Sequence, residues 1–178
     1  LHLCSHNLEK MGTEKIDNTH KLLLDVCMAA KYEGDSITRY HPQHQETNHG
    51  TASQLCTVLA RSFADIGDIV RGKDLFLGND EEKKQRDKLE QKLKEIFKNI
   101  KNTNRRLTDL TDDQIREYWW EENRETVWKA MTCKAEGAYF HATCDSGDGK
   151  GPSQTHNKCT CNNGDVPTYF DYVPQYLR

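Results

Sequence analysis

The sequence predicts an all-α fold, in which a disulfide-braced bundle of helices is joined to a long cysteine-tied loop. Four segments of the 178-residue chain repeat apolar residues at spacings of three and four, as amphipathic helices do. Seven cysteines are a high density for a reduced cytosolic protein and a usual one for an oxidised, exported protein. No alternating pattern persists long enough to indicate a sheet.

Charge and hydropathy narrow the functional classes. The formal net charge is -3, so the chain lacks the overall field of a nucleic-acid-binding protein, and a polyanion would need a local basic patch. The most apolar run is the three leucines at 22–24, which is far too short to cross a bilayer. We therefore expect no direct membrane insertion by this chain, and we expect any targeting or anchoring segment to lie elsewhere in a longer protein.

Two helices are predicted in the first half of the chain. The apolar face of the first is predicted to contain Ile16, His20, Leu23, Cys27 and Ala30. The second begins with Thr51 and Gln54, which have the spacing of a capping box, and ends before Gly72, a residue typical of helix C-termini. Its predicted buried stripe is Leu55, Leu59, Phe63, Ile66 and Val70.

Two further helices follow. Asn79 is a suitable N-cap for the third, and acidic residues at 80–82 complement its dipole. Its predicted buried stripe is Leu89, Leu93, Ile96, Phe97 and Ile100. Thr111 and Gln114 form a capping box for the fourth, whose apolar residues surround most of the axis and predict a central helix. These residues are Ile115, Tyr118, Trp119, Trp120, Val127, Trp128 and Met131.

The tryptophans have two interpretations. Trp119, Trp120 and Trp128 are residues that often anchor protein interfaces. Their helical spacing within a broad apolar arc favours core packing for at least two of them.

Residues 134–166 lose all periodicity and are rich in glycine and asparagine, which predicts a loop stapled by disulfides. Residues 167–178 become aromatic again and predict the beginning of another helix. The candidate disulfide residues are Cys4, Cys27, Cys56, Cys133, Cys144, Cys159 and Cys161. The odd number means that one thiol is free or has its partner outside the chain. At least two bridges are expected, and Cys159 and Cys161 are too close to join each other comfortably.

A row of basic residues is the candidate binding site. Lys94, Lys98, Lys101 and Arg105 recur at intervals of four, three and four, next to Arg106. Such a row can hold sulfate groups through charge-assisted hydrogen bonds. The alternative is that these cations only complement the dipole at the C-terminus of a helix whose N-terminus is acidic.

Metal, nucleotide and catalytic sites find little support, so we predict no metal, no cofactor and no catalytic residue. His156 with Cys159 and Cys161 is an incomplete zinc pattern, whereas disulfides explain the cysteines. Three histidines lie in a polar segment and are expected to be solvated: His41, His44 and His49. Three glycines lack the strand and helix that a phosphate loop needs: Gly147, Gly149 and Gly151.

Five long blocks, distributed over nearly the whole chain, resemble one family. They are LHLCSHNLE at 1–9, KLLLDVCMAAKYEGDS at 21–36, LARSFADIGDIVRGKDLFLG at 59–78, YWWEENRETVWKAMTC at 118–133 and DVPTYFDYVPQYLR at 165–178. The chain resembles the alpha-type Duffy-binding-like domain of the variant erythrocyte-membrane adhesins of Plasmodium falciparum. Domains of this family have three subdomains, and the resemblance implies that this chain is a partial domain. It would contain the end of the first subdomain (1–50), the second (51–165) and the start of the third (166–178).

The resemblance also implies a function and its partners. It implies an adhesion module in a larger anchored protein, displayed on the outer face of the infected red-cell membrane and subject to antigenic variation. The implied partners are a host cell-surface receptor, a heparan sulfate-like glycan or blood-group sugar, and host antibodies. The four cysteines from 133 to 161 resemble the four-cysteine subtype, whereas rosetting is tied more often to the two-cysteine subtype. Residues 134–166 are then an antigenic surface on a braced scaffold.

Three hypotheses about function follow from these observations. The leading one is a receptor-binding adhesion module that uses sulfated glycans through the basic row. A protein-receptor-binding module that uses an aromatic or loop surface is the second. In the third, the chain is mainly a scaffold and antigenic surface without its own ligand.

Overall fold

The computed structural model describes residues 19–45, 53–75, 78–135, 144, 159–161 and 163–178. Its main elements are four helices: α1 (Thr19–Gln45), α2 (Ser53–Arg71), α3 (Asp80–Thr103) and α4 (Asp112–Met131). Three short 3-10 turns are present at Arg105–Leu107, Phe170–Tyr172 and Gln175–Leu177. No strand occurs in these ranges apart from a single bridge residue, Cys144, so the all-α prediction is confirmed. None of the helices described is both long and apolar enough to span a membrane.

The core forms where α1, α2 and α3 pack around α4. Phe63 of α2 lies with its ring centroid 5.1 Å from those of both Trp120 and Trp128 of α4. Gly67 makes this approach possible, because a Cβ at that position would lie 2.8 Å from the Trp120 ring. All three tryptophans are buried, so the core interpretation is correct for each of them.

The predicted stripes of α2 and α3 are confirmed, because every one of their ten residues is buried. Asn79 caps α3 and forms a capping box with Glu82, while the predicted box of Thr111 and Gln114 opens α4. Gly72 has a φ of 72° directly after α2, as expected of a C-terminal stop. Thr51 of the other predicted capping box lies outside the described residues.

The buried face of α1 differs from the predicted one. His20 is exposed, Leu23 and Cys27 are only half-buried, and Ile16 lies outside the described residues. The residues that face the core are Leu22, Val26, Ala29, Ala30 and Ile37. Gly34 explains why the observed buried face differs from the predicted one, because this glycine lies directly against the backbone of Met131 at the end of α4. Small side chains allow that close contact, and they select the face of α1 that meets α4.

One face of α4 is open to solvent. Tyr118, which was predicted as part of the apolar surround of this helix, is 54% exposed. The other six predicted apolar residues of α4 are buried. The central position of α4 is therefore correct, but its burial is incomplete at Tyr118.

Two disulfides brace the bundle. Cys56 of α2 is bonded to Cys159, 103 residues later, and Cys144 is bonded to Cys161. The Nε1 of Trp128 also donates a hydrogen bond to the Cys159 carbonyl at 3.0 Å, so the loop is attached to both α2 and α4. These pairs agree with the expectation of at least two bridges and with the exclusion of a Cys159–Cys161 bond.

The remaining cysteines differ in their surroundings. Cys27 and Cys133 carry free thiols, with Cys27 half-buried and Cys133 exposed. Burial raises the pKa of the Cys27 thiol, which lowers its reactivity at neutral pH. Cys4 lies outside the described residues.

The predicted C-terminal helix is wrong. Residues 166–178 instead form an irregular segment with two isolated 3-10 turns. Pro167 and Pro174 explain this, because each proline lacks an amide donor and disfavours helical backbone in the residue before it. The segment packs along α2 and α4 and contributes Val166 and Phe170 to the core surface.

We expect Gly34→Ala to destabilise the protein by about 2 kcal/mol or more, although glycine-to-alanine changes inside helices normally stabilise by up to about 1 kcal/mol. The reason is that the added Cβ would lie 1.9 Å from the Met131 carbonyl oxygen. Urea denaturation measures the difference, with Ser36→Ala at an exposed position of the same helix as control. Equal or higher stability of the Gly34 variant would contradict the close packing of α1 on α4.

Candidate functional site

The basic row lies at the end of α3 and on the 3-10 turn that follows it. Lys94 and Lys98 are exposed on α3, and Arg105 and Arg106 are exposed on the turn. Asn104 fixes the turn, because its side chain accepts a hydrogen bond from the Arg106 amide at 3.1 Å. Four of the five cations of the row are therefore accessible to solvent.

Lys101 differs from its neighbours in the row. Its Nζ donates a 2.7 Å hydrogen bond to the Leu110 carbonyl and lies 3.9 Å from the Asp112 carboxylate. Its side chain is only 27% exposed. Lys101 thus fixes the connection between α3 and α4, and its ammonium group is already engaged.

A depression of about 440 Å³ lies beside Lys94 and Lys98. Its acidic lining residues are Glu90, Glu95, Asp112 and Asp113. The third cation on its wall, Arg116, is bound by both oxygens of Glu90 at 2.7 and 2.9 Å. Because the carboxylates outnumber the cations, the depression itself does not favour an anionic ligand.

Arg116 also determines how α2 ends. Its Nε donates to the Val70 carbonyl at 2.7 Å, and a terminal nitrogen donates to the Ile69 carbonyl at 3.1 Å. These carbonyls belong to the last turn of α2, where the Ile69 carbonyl also accepts a hydrogen bond from the Gly72 amide at 3.2 Å. Arg116 therefore joins the end of α2 to Glu90 of α3 and has a structural role.

A second cluster of charges surrounds Asp171 in the C-terminal segment. The Asp171 carboxylate is fully buried and accepts hydrogen bonds from Trp120 Nε1 at 2.9 Å and from Arg124 at 2.7 and 2.8 Å. Arg124 also donates to the Thr168 carbonyl at 2.7 Å. Burial lowers the pKa of Arg124, but the hydrogen bond and charge of Asp171 outweigh it and the net shift is upward. The ion pair and its hydrogen bonds hold the segment on α4.

The same segment is bound to α2 by two further guanidinium groups. Arg71 and Arg178 both form ion pairs with the buried Asp68 carboxylate, and Arg71 also donates to the Asp171 carbonyl. Burial raises the pKa of Asp68 to about 6, although both arginines act in the opposite direction. The C-terminal residue, Arg178, is thus part of the packed structure.

The tyrosine cleft is a depression of about 460 Å³ between α4 and the C-terminal segment. Its lining residues are Glu121, Arg124, Glu125, Asp165, Val166, Tyr169 and Tyr172. Tyr169 and Tyr172 are 58% and 46% exposed, and the Arg124 guanidinium lies 5.6 and 5.1 Å from their ring centroids. An adjoining depression of about 450 Å³ shares Glu121 and includes Tyr118.

No group of histidine, cysteine or carboxylate side chains within the described ranges could hold a metal ion. Cys159 and Cys161 are bonded in disulfides and offer no thiolate to a metal. His49, His156 and the three glycines at 147, 149 and 151 lie outside the described residues, as do the side chains of His41 and His44.

Comparisons with known proteins are consistent with this architecture. A family model described as the Duffy binding domain matches residues 1–178. The chain belongs to the Duffy binding domain family. It is 38% identical, with a TM-score of 0.78, to the NTS-DBL1(alpha-1) domain of the Plasmodium falciparum membrane protein 1 (PfEMP1) from the varO strain. That match covers 99% of this chain and 40% of the other.

Two further solved structures are similar. The P. falciparum varO double domain of NTS-DBL1-alpha and CIDR-gamma is 38% identical with a TM-score of 0.77, and 99% of this chain matches 25% of it. The ICAM-1-binding PfEMP1 IT4var13 DBLbeta domain is 30% identical with a TM-score of 0.67, and 99% of this chain matches 39% of it. The chain thus spans well under half the length of each structure. No curated protein matches it.

Sequence reasoning did not find the charge cluster of this Duffy binding domain chain. Asp171 lies 47 residues from Arg124 and 51 residues from Trp120, so no local pattern connects them. The sequence signal that could have indicated this cluster is the segment YFDYVPQY. Its tyrosines and aspartate make it more polar than a helix that is buried in the core. The basic row was visible because its residues share one helix and one turn.

The raised pKa of Asp68 predicts a pH dependence of stability in this Duffy binding domain chain. The folded carboxyl, with a pKa of about 6 against 3.8 for the ordinary group, holds its proton more tightly than the unfolded one. The contribution of Asp68 to the free energy of unfolding therefore increases as the pH falls from about 6 to 4, and it decreases as the pH rises through the same range.

We expect the wild-type chain to gain up to about 3 kcal/mol, relative to Asp68→Asn, between pH 7.5 and pH 4. The free energy of unfolding from urea titrations at both pH values measures this difference. A wild-type advantage that grows toward high pH would contradict it.

Proposed function

We propose that this chain is part of a receptor-binding adhesion module, displayed on the outer surface of infected red cells within a larger anchored protein. The observation that carries the proposal is the match of the whole chain to the Duffy binding domain family, together with its 38% identity to a PfEMP1 DBL1-alpha domain. The fold supports this function, because a scaffold cross-linked by Cys56–Cys159 and Cys144–Cys161 leaves its outer surfaces free to vary and to bind. We expect no enzymatic activity.

Sulfated, heparan sulfate-like glycans are the proposed ligand class of the basic row. Lys94, Lys98, Arg105 and Arg106 support this proposal, because their side chains are exposed on α3 and on the turn that follows it. Lys101 belongs to the row in sequence, but its ammonium group donates a hydrogen bond to the Leu110 carbonyl. Its main role is therefore to hold the end of α3 in position. Lysine and arginine at such spacing bind sulfate through several weak, salt-sensitive contacts.

A protein receptor is the second candidate ligand. It is favoured by the similarity to a DBLbeta domain whose solved complex contains ICAM-1, at 29% identity and a TM-score of 0.64. Exposed tyrosines at 118, 169, 172 and 176 supply the aromatic surface that such contacts commonly use.

We expect the quadruple variant Lys94→Ala, Lys98→Ala, Arg105→Ala, Arg106→Ala to elute from heparin at a clearly lower salt concentration than wild type. Each lost cation removes one salt-sensitive contact, so the dependence of affinity on salt concentration also becomes less steep. Lys101 is retained in this variant, because its removal would disturb the connection between α3 and α4.

The matched control replaces two other exposed lysines and two other exposed arginines: Lys84, Lys88, Arg39 and Arg61. It has the same change in net charge, so it separates a site from a general charge effect. Elution of both variants at the same salt concentration would exclude the basic row as a glycan site.

A further inference from the structure

We propose that the tyrosine cleft is a second binding surface, which receives an arginine or lysine side chain of a protein partner. This proposal rests on the proposed adhesion function and adds to it a surface of opposite charge to the basic row. The cleft lies between Glu121 and Glu125 of α4 and Asp165, Tyr169 and Tyr172 of the C-terminal segment.

The walls of the cleft are held in place before any ligand arrives. Arg124 is 13% exposed and is bound by the Asp171 carboxylate and the Thr168 carbonyl. Its guanidinium packs against Tyr169, Tyr172 and the core residue Phe63, at 5.1 to 5.7 Å from the three ring centroids. A binding surface fixed in this way loses little conformational entropy when a ligand binds.

The charge that faces the ligand is negative. Asp171 neutralises Arg124 from below, so the charges that remain at the rim are three carboxylates, of which Glu125 has a cationic partner. Glu125 pairs with Lys129, and Asp165 accepts a hydrogen bond from the Asn163 amide. Glu121 is exposed and forms no ion pair in the described part of the chain. A sulfated glycan is therefore repelled here, whereas a cationic side chain is attracted.

The aromatic rings favour the same kind of ligand. Tyr169 and Tyr172 expose about half of their surface beside these carboxylates. A cation near the face of a tyrosine ring gains up to about 1 kcal/mol at an exposed site, in addition to its attraction to the carboxylates. Arginine fits such a mixed surface well, because its planar group stacks on rings and donates to carboxylates at the same time.

The surface extends along α4 beyond the cleft itself. Four carboxylates recur at every fourth residue and line the two adjoining depressions: Asp113, Glu117, Glu121 and Glu125. Like charges four residues apart destabilise a helix by about 0.2–0.5 kcal/mol per pair. Arg71 and Lys73 form ion pairs with Glu117, and Lys129, the next position along the row, pairs with Glu125. Asp113 and Glu121 form no ion pair with any residue that the structure describes, so the row suits a partner segment that carries basic residues.

The test uses a fluorescent peptide of four Arg-Ser repeats and measures its binding to the full chain by anisotropy at low salt. We expect Glu121→Gln with Glu125→Gln to raise the Kd at least fivefold. The control is Glu95→Gln with Glu122→Gln, which makes the same change in net charge at exposed positions outside the cleft and should change the Kd less than twofold.

The tyrosines are tested in the same way. Tyr169→Ala with Tyr172→Ala should raise the Kd at least threefold, and the corresponding phenylalanine pair should restore binding. Tyr32→Ala with Tyr40→Ala removes two similarly exposed tyrosines from α1 and should have no effect. Circular dichroism confirms folding of each variant, and the glutamine pair keeps the proposal testable if an alanine variant unfolds.

Heparin binding separates this proposal from the glycan site. The cleft variants should keep wild-type heparin elution, while the variant of the basic row should keep wild-type peptide binding. A peptide Kd that changes equally in the cleft variant and its control would overturn the cleft as a site and leave the glycan proposal unaffected. Loss of peptide binding in the basic-row variant would also overturn it.

Discussion

The arrangement of the surface formed by α4 and the C-terminal segment depends on the hydrogen bonds and the ion pair of the buried Asp171 carboxylate. A buried charge is costly unless it is paired and hydrogen-bonded. Trp120 and Arg124 supply three donors to it from α4, within 2.9 Å. Because those donors belong to the central helix, an irregular segment with little regular hydrogen bonding of its own becomes a fixed wall of the bundle.

That anchor connects the interior of the molecule to its outer surface. Trp120 packs against Phe63 in the core, and the tyrosines on either side of Asp171 point toward solvent around Arg124. The two disulfides perform a comparable task for the loop, where Cys159 is attached to both α2 and Trp128. The helices and bridges thus position two surfaces of opposite charge, which is consistent with the proposed adhesion function.

Much of the helical scaffold was predictable, because the buried face of a helix is indicated by apolar residues that recur every three or four positions in the sequence. The stripes of α2 and α3, the cap at Asn79 and the stop at Gly72 all depend on residues within a few positions of one another. The face of α1 was not predictable in the same way, because its choice depends on Gly34 meeting Met131, almost a hundred residues away. The C-terminal segment was misread for a related reason: aromatic content indicated a helix, whereas the prolines and distant charged partners determine its path.

The candidate surfaces follow the same rule. The basic row was visible in the sequence because it follows one helix, although Lys101 proved to be engaged by Leu110. The tyrosine cleft was not visible, because residues 121–125 and 165–172 meet only in the folded chain.

The stability of Asp171→Asn, measured by urea denaturation, tests the role of this anchor most directly. The asparagine keeps the size of the side chain but removes the charge that faces Arg124, so we expect the free energy of unfolding to fall by about 3 kcal/mol. Asp109→Asn, at an exposed position, should change it by less than about 0.5 kcal/mol. Equal stability of the two variants would contradict the claim that the buried carboxylate holds the C-terminal segment on α4.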